Sequence, residues 1–177
     1  MKKVLYVLLA LVIIIAILGA FAPNDFKVQR DITINKPNAV VFDYVRYLKN
    51  QDNWSVWSKM DPNMKKEYRG EDGKVGFVSG WVGNDKVGKG EQEILSFEEG
   101  KRMTVELRFM KPFEATNQAY YTTDAVGDNQ TKVTWAMEGK SPFPFNVMML
   151  FMNMDKMVGK DFEDGLANLK VVLEKQP

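Results

Sequence analysis

Neither histidine nor cysteine occurs in this chain of 177 residues, so its chemistry must rest on carboxylates, amines, guanidinium groups, hydroxyls and rings. That composition excludes Ser-His-Asp relays, imidazole proton shuttles, His or Cys metal ligands, disulfides and thiolate nucleophiles. Among the carboxylates, Glu91 and Glu93 lie two apart and share one face of a strand, a face that Leu95 and Phe97 continue. Glu106 lies opposite the face of Met103, Val105, Leu107 and Phe109. A carboxylate aimed into an apolar cavity has a raised pKa and can act as acid or base. On the outer face of a strand it is a solubilising charge, which is the commoner arrangement. Asp161, Glu163 and Asp164 read as a solvated helix surface, and Asp61 and Asp128-Asn129 lack the ligand spacing of a calcium loop. Gly88-Lys89-Gly90 lacks the spacing of a phosphate loop and leads into a strand instead of a helix. The sequence calls for no metal and no cofactor.

The apolar residues are more informative. Trp54 and Trp57 are three apart, the spacing of one helix face, and either line a pocket mouth or plug the end of a sheet. Trp135 shares a strand face with Val133 and Met137 and points inward, as cavity wall or as core. Met148, Met149, Met152, Met154 and Met157 are crowded together beside Phe143, Phe145 and Phe151. Methionine is flexible and polarisable, so this cluster suits an adaptable gate, and it suits ordinary core packing as well. Gly159 and Gly165 interrupt a helical pattern and are expected to let a neighbouring element approach closely.

Charge argues against a nucleic-acid partner. Lys and Arg total 24 against 23 Asp and Glu, a net charge of +1. A nucleic-acid binder normally carries a clear basic excess or stripe.

Met1-Lys2-Lys3 precedes an uncharged apolar run over residues 4–22. At about 1.5 Å per helical residue, such a run crosses a hydrocarbon core of about 30 Å. Two readings stand. Ala20-Phe21-Ala22 resembles the end of a cleaved signal peptide. Against cleavage, the run is longer than a usual signal core, no polar region precedes the candidate site, and Pro23 follows it directly. These features favour an uncleaved signal anchor over residues 1–22, followed by a folded domain over 23–177. Lys2, Lys3 and the α-amino group favour a cytoplasmic N-terminus and an extracytoplasmic domain, although Lys27, Arg30 and Lys36 lie close on the other side. Without residues 1–22 the chain carries a net charge of −1, so no basic patch draws the domain to anionic lipid.

Residues 26–35 alternate as a half-buried strand, with Phe26, Val28, Arg30, Ile32 and Ile34 on one side. Asn38 is placed to cap a helix carrying Val41, Phe42, Val45 and Leu48, and a second short helix or turn covers 53–58. Strands follow over 65–69, 76–82, 88–97, 102–109, 115–123 and 131–138, separated by Gly- and Asp-containing turns, as in an antiparallel meander. Helical spacing begins at Phe145 and runs to about Glu174. The class is α+β: a curved antiparallel sheet crossed by a long C-terminal helix, with one N-terminal transmembrane helix.

This order carries a series of motifs: Trp54-Ser55-Val56-Trp57-Ser58 before Asp61-Pro62, then Tyr68-Arg69-Gly70, Gly80-Trp81-Val82-Gly83 and Lys111-Pro112-Phe113. Thr131-Lys132-Val133-Thr134-Trp135 and Gly159-Lys160-Asp161-Phe162-Glu163-Asp164-Gly165-Leu166 complete it. Together they resemble the START/SRPBCC superfamily of helix-grip folds, and within it the polyketide cyclase/dehydrase and lipid-transport group, over nearly all of 23–177. The resemblance implies an apolar cavity between sheet and C-terminal helix that takes a hydrophobic small molecule or lipid. The expected lining is Trp81, Val105, Leu107, Trp135, Met137, Phe145, Met149 and Met152. No catalytic motif carries over residue by residue. A cyclase- or dehydratase-like enzyme using a buried carboxylate or tyrosine, and an interaction module with a filled core, are the alternatives.

Overall fold

The computed structural model describes residues 2–175. Strand β1 (Asp25–Ile34) is followed by the short helices α2 (Asn38–Val45), α3 (Gln51–Trp54) and α4 (Val56–Met60). Strands β2 (Lys65–Arg69), β3 (Val78–Val82), β4 (Lys89–Glu98), β5 (Arg102–Lys111), β6 (Ala115–Gly127) and β7 (Gln130–Lys140) come next. Helix α5 (Met154–Lys175) closes the chain, and α1 (Lys2–Phe21) opens it. The strands form one antiparallel sheet in the order β1-β7-β6-β5-β4-β3-β2, so the meander is completed when β1 returns beside β7. This is the helix-grip architecture, with α5 held in the concave face and packed chiefly on β1.

The burial pattern follows from period. On α5, Phe162, Gly165, Leu166, Leu169 and Leu173 recur at three and four and form the buried stripe. On the sheet, Val28, Ile94, Val105, Ala119 and Met137 stand on one cross-strand row and are buried. Arg30 stands on the same inward face of β1, where its guanidinium meets Asp155 at 2.7 Å and Glu163 at 2.7 Å. Asp155, Gly159 and Glu163 are spaced by four on α5, and a Cβ on Gly159 would collide with the Arg30 guanidinium. The glycine therefore admits the arginine, and the two carboxylates neutralise it.

Four local features differ from the expectation. A bulge in β4 shifts its register against β5 between Ile94 and Ser96. Phe97 consequently turns inward against Phe42 and does not continue the face of Glu91 and Glu93, while Leu95 is exposed. Asn38 does not cap α2; its Nδ2 donates to the Gly100 carbonyl at 2.6 Å and ties the helix to the β4–β5 turn. Ser55 adopts extended backbone and splits the expected helix at 53–58 into α3 and α4. The C-terminal helix begins at Met154, not Phe145: residues Phe145–Leu150 form a 3-10 turn. The start of α5 is set by Asn153, whose Oδ1 accepts from the Lys156 amide at 3.0 Å.

Helix α1 is long and apolar enough to cross a membrane and is exposed along nearly its whole length. Gly19 is its buried residue, held against the segment that precedes α5.

Candidate hydrophobic-ligand site

The centre of the groove between sheet and α5 is filled by rings. Trp135 is stacked on Phe162, with centroids 4.1 Å apart and planes within 3°. Tyr121 stacks on it at 5.4 Å, while Trp54 and Trp57 meet it edge-on at 5.2 and 5.6 Å. Trp54 and Trp57 thus pack against Trp135 at the centre of the groove, not at the end of the sheet, and the backbone breaks between them. Gly165 belongs to the same cluster, because a Cβ there would lie 2.9 Å from the Trp135 ring.

One polar chain crosses this apolar face. Gln92 donates from Nε2 to Gln51 Oε1 at 2.8 Å, and Gln51 Nε2 donates to the Tyr121 hydroxyl at 3.2 Å. Burial pushes the Tyr121 phenol well above its ordinary pKa and holds it neutral.

Toward the end of the sheet at which β1 begins, the groove opens. The cross-strand row Phe26, Gly139, Asn117, Leu107 and Gln92 lies one step beyond Met137 and Val105. Phe26, Asn117 and Leu107 in that row are only partly buried. Trp81 and Phe109 stand one step further out, edge to face at 5.9 Å. Gly90 makes room for this pair, since a Cβ there would lie 2.6 Å from the Trp81 ring. On the β1 side, a cleft of about 340 Å³ is lined by Phe26, Met149, Met152 and Met154, with Lys27 and Asp155 at its edge. That volume is at the lower end for small-molecule sites, which run about 300–1,000 Å³. A broader depression of about 630 Å³ lies on the outer side of α2, lined by Val40, Asp43, Tyr44 and Asn50. None of its lining residues comes from the sheet or from α5.

The expected lining residues fall in different places. Met149 and Met152 line the cleft, and Trp81 and Leu107 stand at the open end of the sheet. Val105 and Met137 are buried and form the floor between that end and the ring cluster. Trp135 is buried and stacked against both Phe162 and Tyr121, and Phe145 is 65% exposed, outside the groove. The expected lining omitted Phe26 and also Met154, which the sequence placed in the methionine cluster. Phe26 was legible as the first inward residue of β1, but its place beside the methionines depends on how 145–153 folds.

The carboxylates weighed for acid–base work lie on the convex face. Arg108 holds Glu91 at 2.9 Å, Glu93 at 2.7 Å and Glu106 at 2.5 Å, and Arg69 holds Glu91 at 2.7 Å. Hydrogen bonds from Arg69 and then Arg108 keep the Glu91 carboxyl below the usual range. Asp161 on α5 is shifted upward by burial, reinforced by neighbouring Asp164.

A curved antiparallel sheet gripping a C-terminal helix, with an apolar opening at one end, defines a START/SRPBCC-type helix-grip domain. Residues 25–174 match the family described as polyketide cyclase/dehydrase and lipid transport, and the chain belongs to that family. No curated protein matches the sequence. Among solved structures, truncated norcoclaurine synthase from Thalictrum flavum is similar with a TM-score of 0.64 at 8% identity, over 86% of this chain and 95% of that one. A protein from Nitrosospira multiformis aligns with a TM-score of 0.60 at 17% identity, over 85% and 98%. Ginseng major latex-like protein 151 from Panax ginseng gives 0.61 at 13%, over 88% and 100%. At these identities the likeness concerns the fold.

Proposed function

We propose that the protein is a membrane-tethered binder of a hydrophobic small molecule or lipid. Residues 1–22 are its uncleaved anchor, with the N-terminus cytoplasmic and the domain over 23–177 extracytoplasmic. The observation that carries the reading is the half-open groove. Its centre is occupied by the Trp135 cluster, while at the end of the sheet where β1 begins Trp81, Leu107 and Phe26 are partly exposed, and Phe26 lines the Met149–Met152 cleft. The ligand lies at that end, over the floor of Val105 and Met137. Its binding is driven by apolar burial, at about 25 cal/mol per Å². The methionines shape the cleft to different chains or rings. The membership of the lipid-transport family supports this chemistry, and the length and exposure of α1 support the tether.

A diazirine-bearing fatty acid tests the site. Irradiated with the full chain in mild detergent, it should label peptides containing Met149, Met152 and Phe26 above the rest of the domain. Labelling spread evenly over the domain, or confined to α1, would refute the assignment.

A further inference from the structure

Register fixes which end of the domain faces the anchor. Asp25 at the start of β1 pairs with Lys140 at the end of β7, and the β5–β6 hairpin around Phe113 lies at that same end of the sheet. Only residues 22–24 separate α1 from β1, so this end stays close to the point where α1 stops.

The segment before α5 fastens the two together. Asn146, 1% exposed, donates from Nδ2 to the Gly19 carbonyl at 2.7 Å, to Asn24 Oδ1 at 2.9 Å and more weakly to the Ala22 carbonyl at 3.4 Å. The Gly19 carbonyl is in the last turn of α1, where the helix supplies no donor. Phe143 packs on the same glycine, whose Cβ would lie 2.6 Å from the ring. At this end of the domain, large apolar side chains stand in the open: Phe151 is 81% exposed, Phe113 79%, Phe145 65% and Met148 52%. A cluster of this kind marks a surface that is covered in use, and aromatic rings are favoured at the boundary of a bilayer.

We infer that this end of the domain is a lipid-facing surface. Phe113, Phe145, Met148 and Phe151 enter the interfacial layer of the leaflet from which α1 emerges. The inference rests on the reading of α1 as an anchor. It places the mouth of the Met149–Met152 cleft, which shares Leu150 and Phe151 with this surface, at the level of the bilayer, so that an apolar ligand need not cross water. Charges at this end are mixed, with Lys86, Lys89, Lys111 and Lys140 beside Asp25, Asp85 and Glu114. Insertion is therefore apolar and occurs on zwitterionic lipid.

The lack of cysteine makes a direct test available. Nitroxide labels are placed one at a time through Phe113→Cys, Phe145→Cys and Phe151→Cys in the full chain, reconstituted in phosphatidylcholine nanodiscs. Ile13→Cys in the middle of α1 is the hydrocarbon reference. Val126→Cys, 54% exposed at the opposite end of the sheet, is the water reference. These sites are all exposed, so the substitutions leave the core packing in place. Collision with oxygen, relative to collision with a water-soluble nickel chelate, should be several-fold higher at the three phenylalanine sites than at Val126. If Ile13 reports hydrocarbon while the three sites behave like Val126, the lipid-facing surface is wrong and the anchor stands. If Ile13 itself reports water, the anchor reading fails and takes the inference with it. Shielding of the three sites from both reagents indicates a protein partner or a second copy and overturns the inference.

Discussion

Trp135 and Phe162 lie face to face, 4.1 Å between centroids and 3° from parallel, in the middle of the groove where a helix-grip fold could hold a ligand. One ring comes from β7 and the other from α5, so their stack joins sheet and helix at the centre of the groove, beside the more extensive packing of α5 on β1. It divides the groove into a closed half, filled by Leu166, Leu169 and Leu173, and an open half toward the start of β1. The ring cluster fills the centre, so the proposed ligand site lies in the open half.

Gly165→Ala separates these roles. Helix propensity alone favours alanine by about 1 kcal/mol. The added Cβ, however, would sit 2.9 Å from a ring already held by Phe162, Tyr121, Trp54 and Trp57. Overpacking of this kind costs about 1–3 kcal/mol, so the substitution should lower the denaturation midpoint. A raised midpoint in a urea titration would show that the cluster yields and that the groove is not locked at its centre.

Asn146→Ala removes the donor that bridges Gly19, Ala22 and Asn24. Leaving buried acceptors unpaired costs about 1–3 kcal/mol locally. Proteolysis and amide exchange at residues 19–24 should accelerate, while the β-sheet amides keep their protection. Unchanged exchange at 19–24 would mean that Asn146 does not fasten the domain to α1.

Arg108→Met leaves Glu91, Glu93 and Glu106 facing one another without their shared cation. The groups are half-buried, so a destabilisation of about 1–3 kcal/mol is expected at neutral pH, less than for a fully buried pair. Acidification protonates the cluster and relieves the repulsion, so the difference from the parent protein should shrink toward pH 4. A deficit that stays constant with pH would show that lost packing, not charge, is the cause.

The parent protein should respond in the opposite sense. The carboxyls of Glu91, Glu138, Asp155 and Glu174 are held below their ordinary values in the folded state, by Arg69, Lys27, Arg30 and the Asn35 amide respectively. Groups depressed on folding contribute stability that is fully present above their unfolded values, 4.5 for Glu and 3.8 for Asp, and is lost as pH falls through the folded ones. Asp161, raised by burial, offsets a part of this. With no histidine, thermal midpoints should be flat from about pH 5 to 8 and fall below about 4. A step near pH 6 would contradict this.

The alternation of β1 and β5, the turn chemistry of the meander and the three-four stripe of α5 are local patterns, and they were legible in the sequence. The features that shape the site are not local. The bulge at Ile94–Ser96 adds a residue without a sequence marker, and it moved Phe97 from the face of Glu91 to the core. The helical spacing of Phe145 and Met149 continued that of α5, but Asn146 draws residues 145–150 toward α1 and Asn153 starts the helix afresh. Trp135 was legible as inward-facing. That its ring is stacked against both Tyr121 and Phe162 depends on the register of the β6–β7 hairpin and on a helix from further along the chain.

Binding of an apolar ligand in the open half of the groove is most directly tested by native mass spectrometry of the full chain, released from detergent in the gas phase, beside its Met152→Asp variant. Lipids held only by α1 remain on both proteins. We predict an additional bound apolar molecule of defined mass on the parent, lost from a variant whose thermal midpoint is unchanged. Identical ligand occupancy on the two proteins, or none on either after incubation with mixed lipids, would contradict the account.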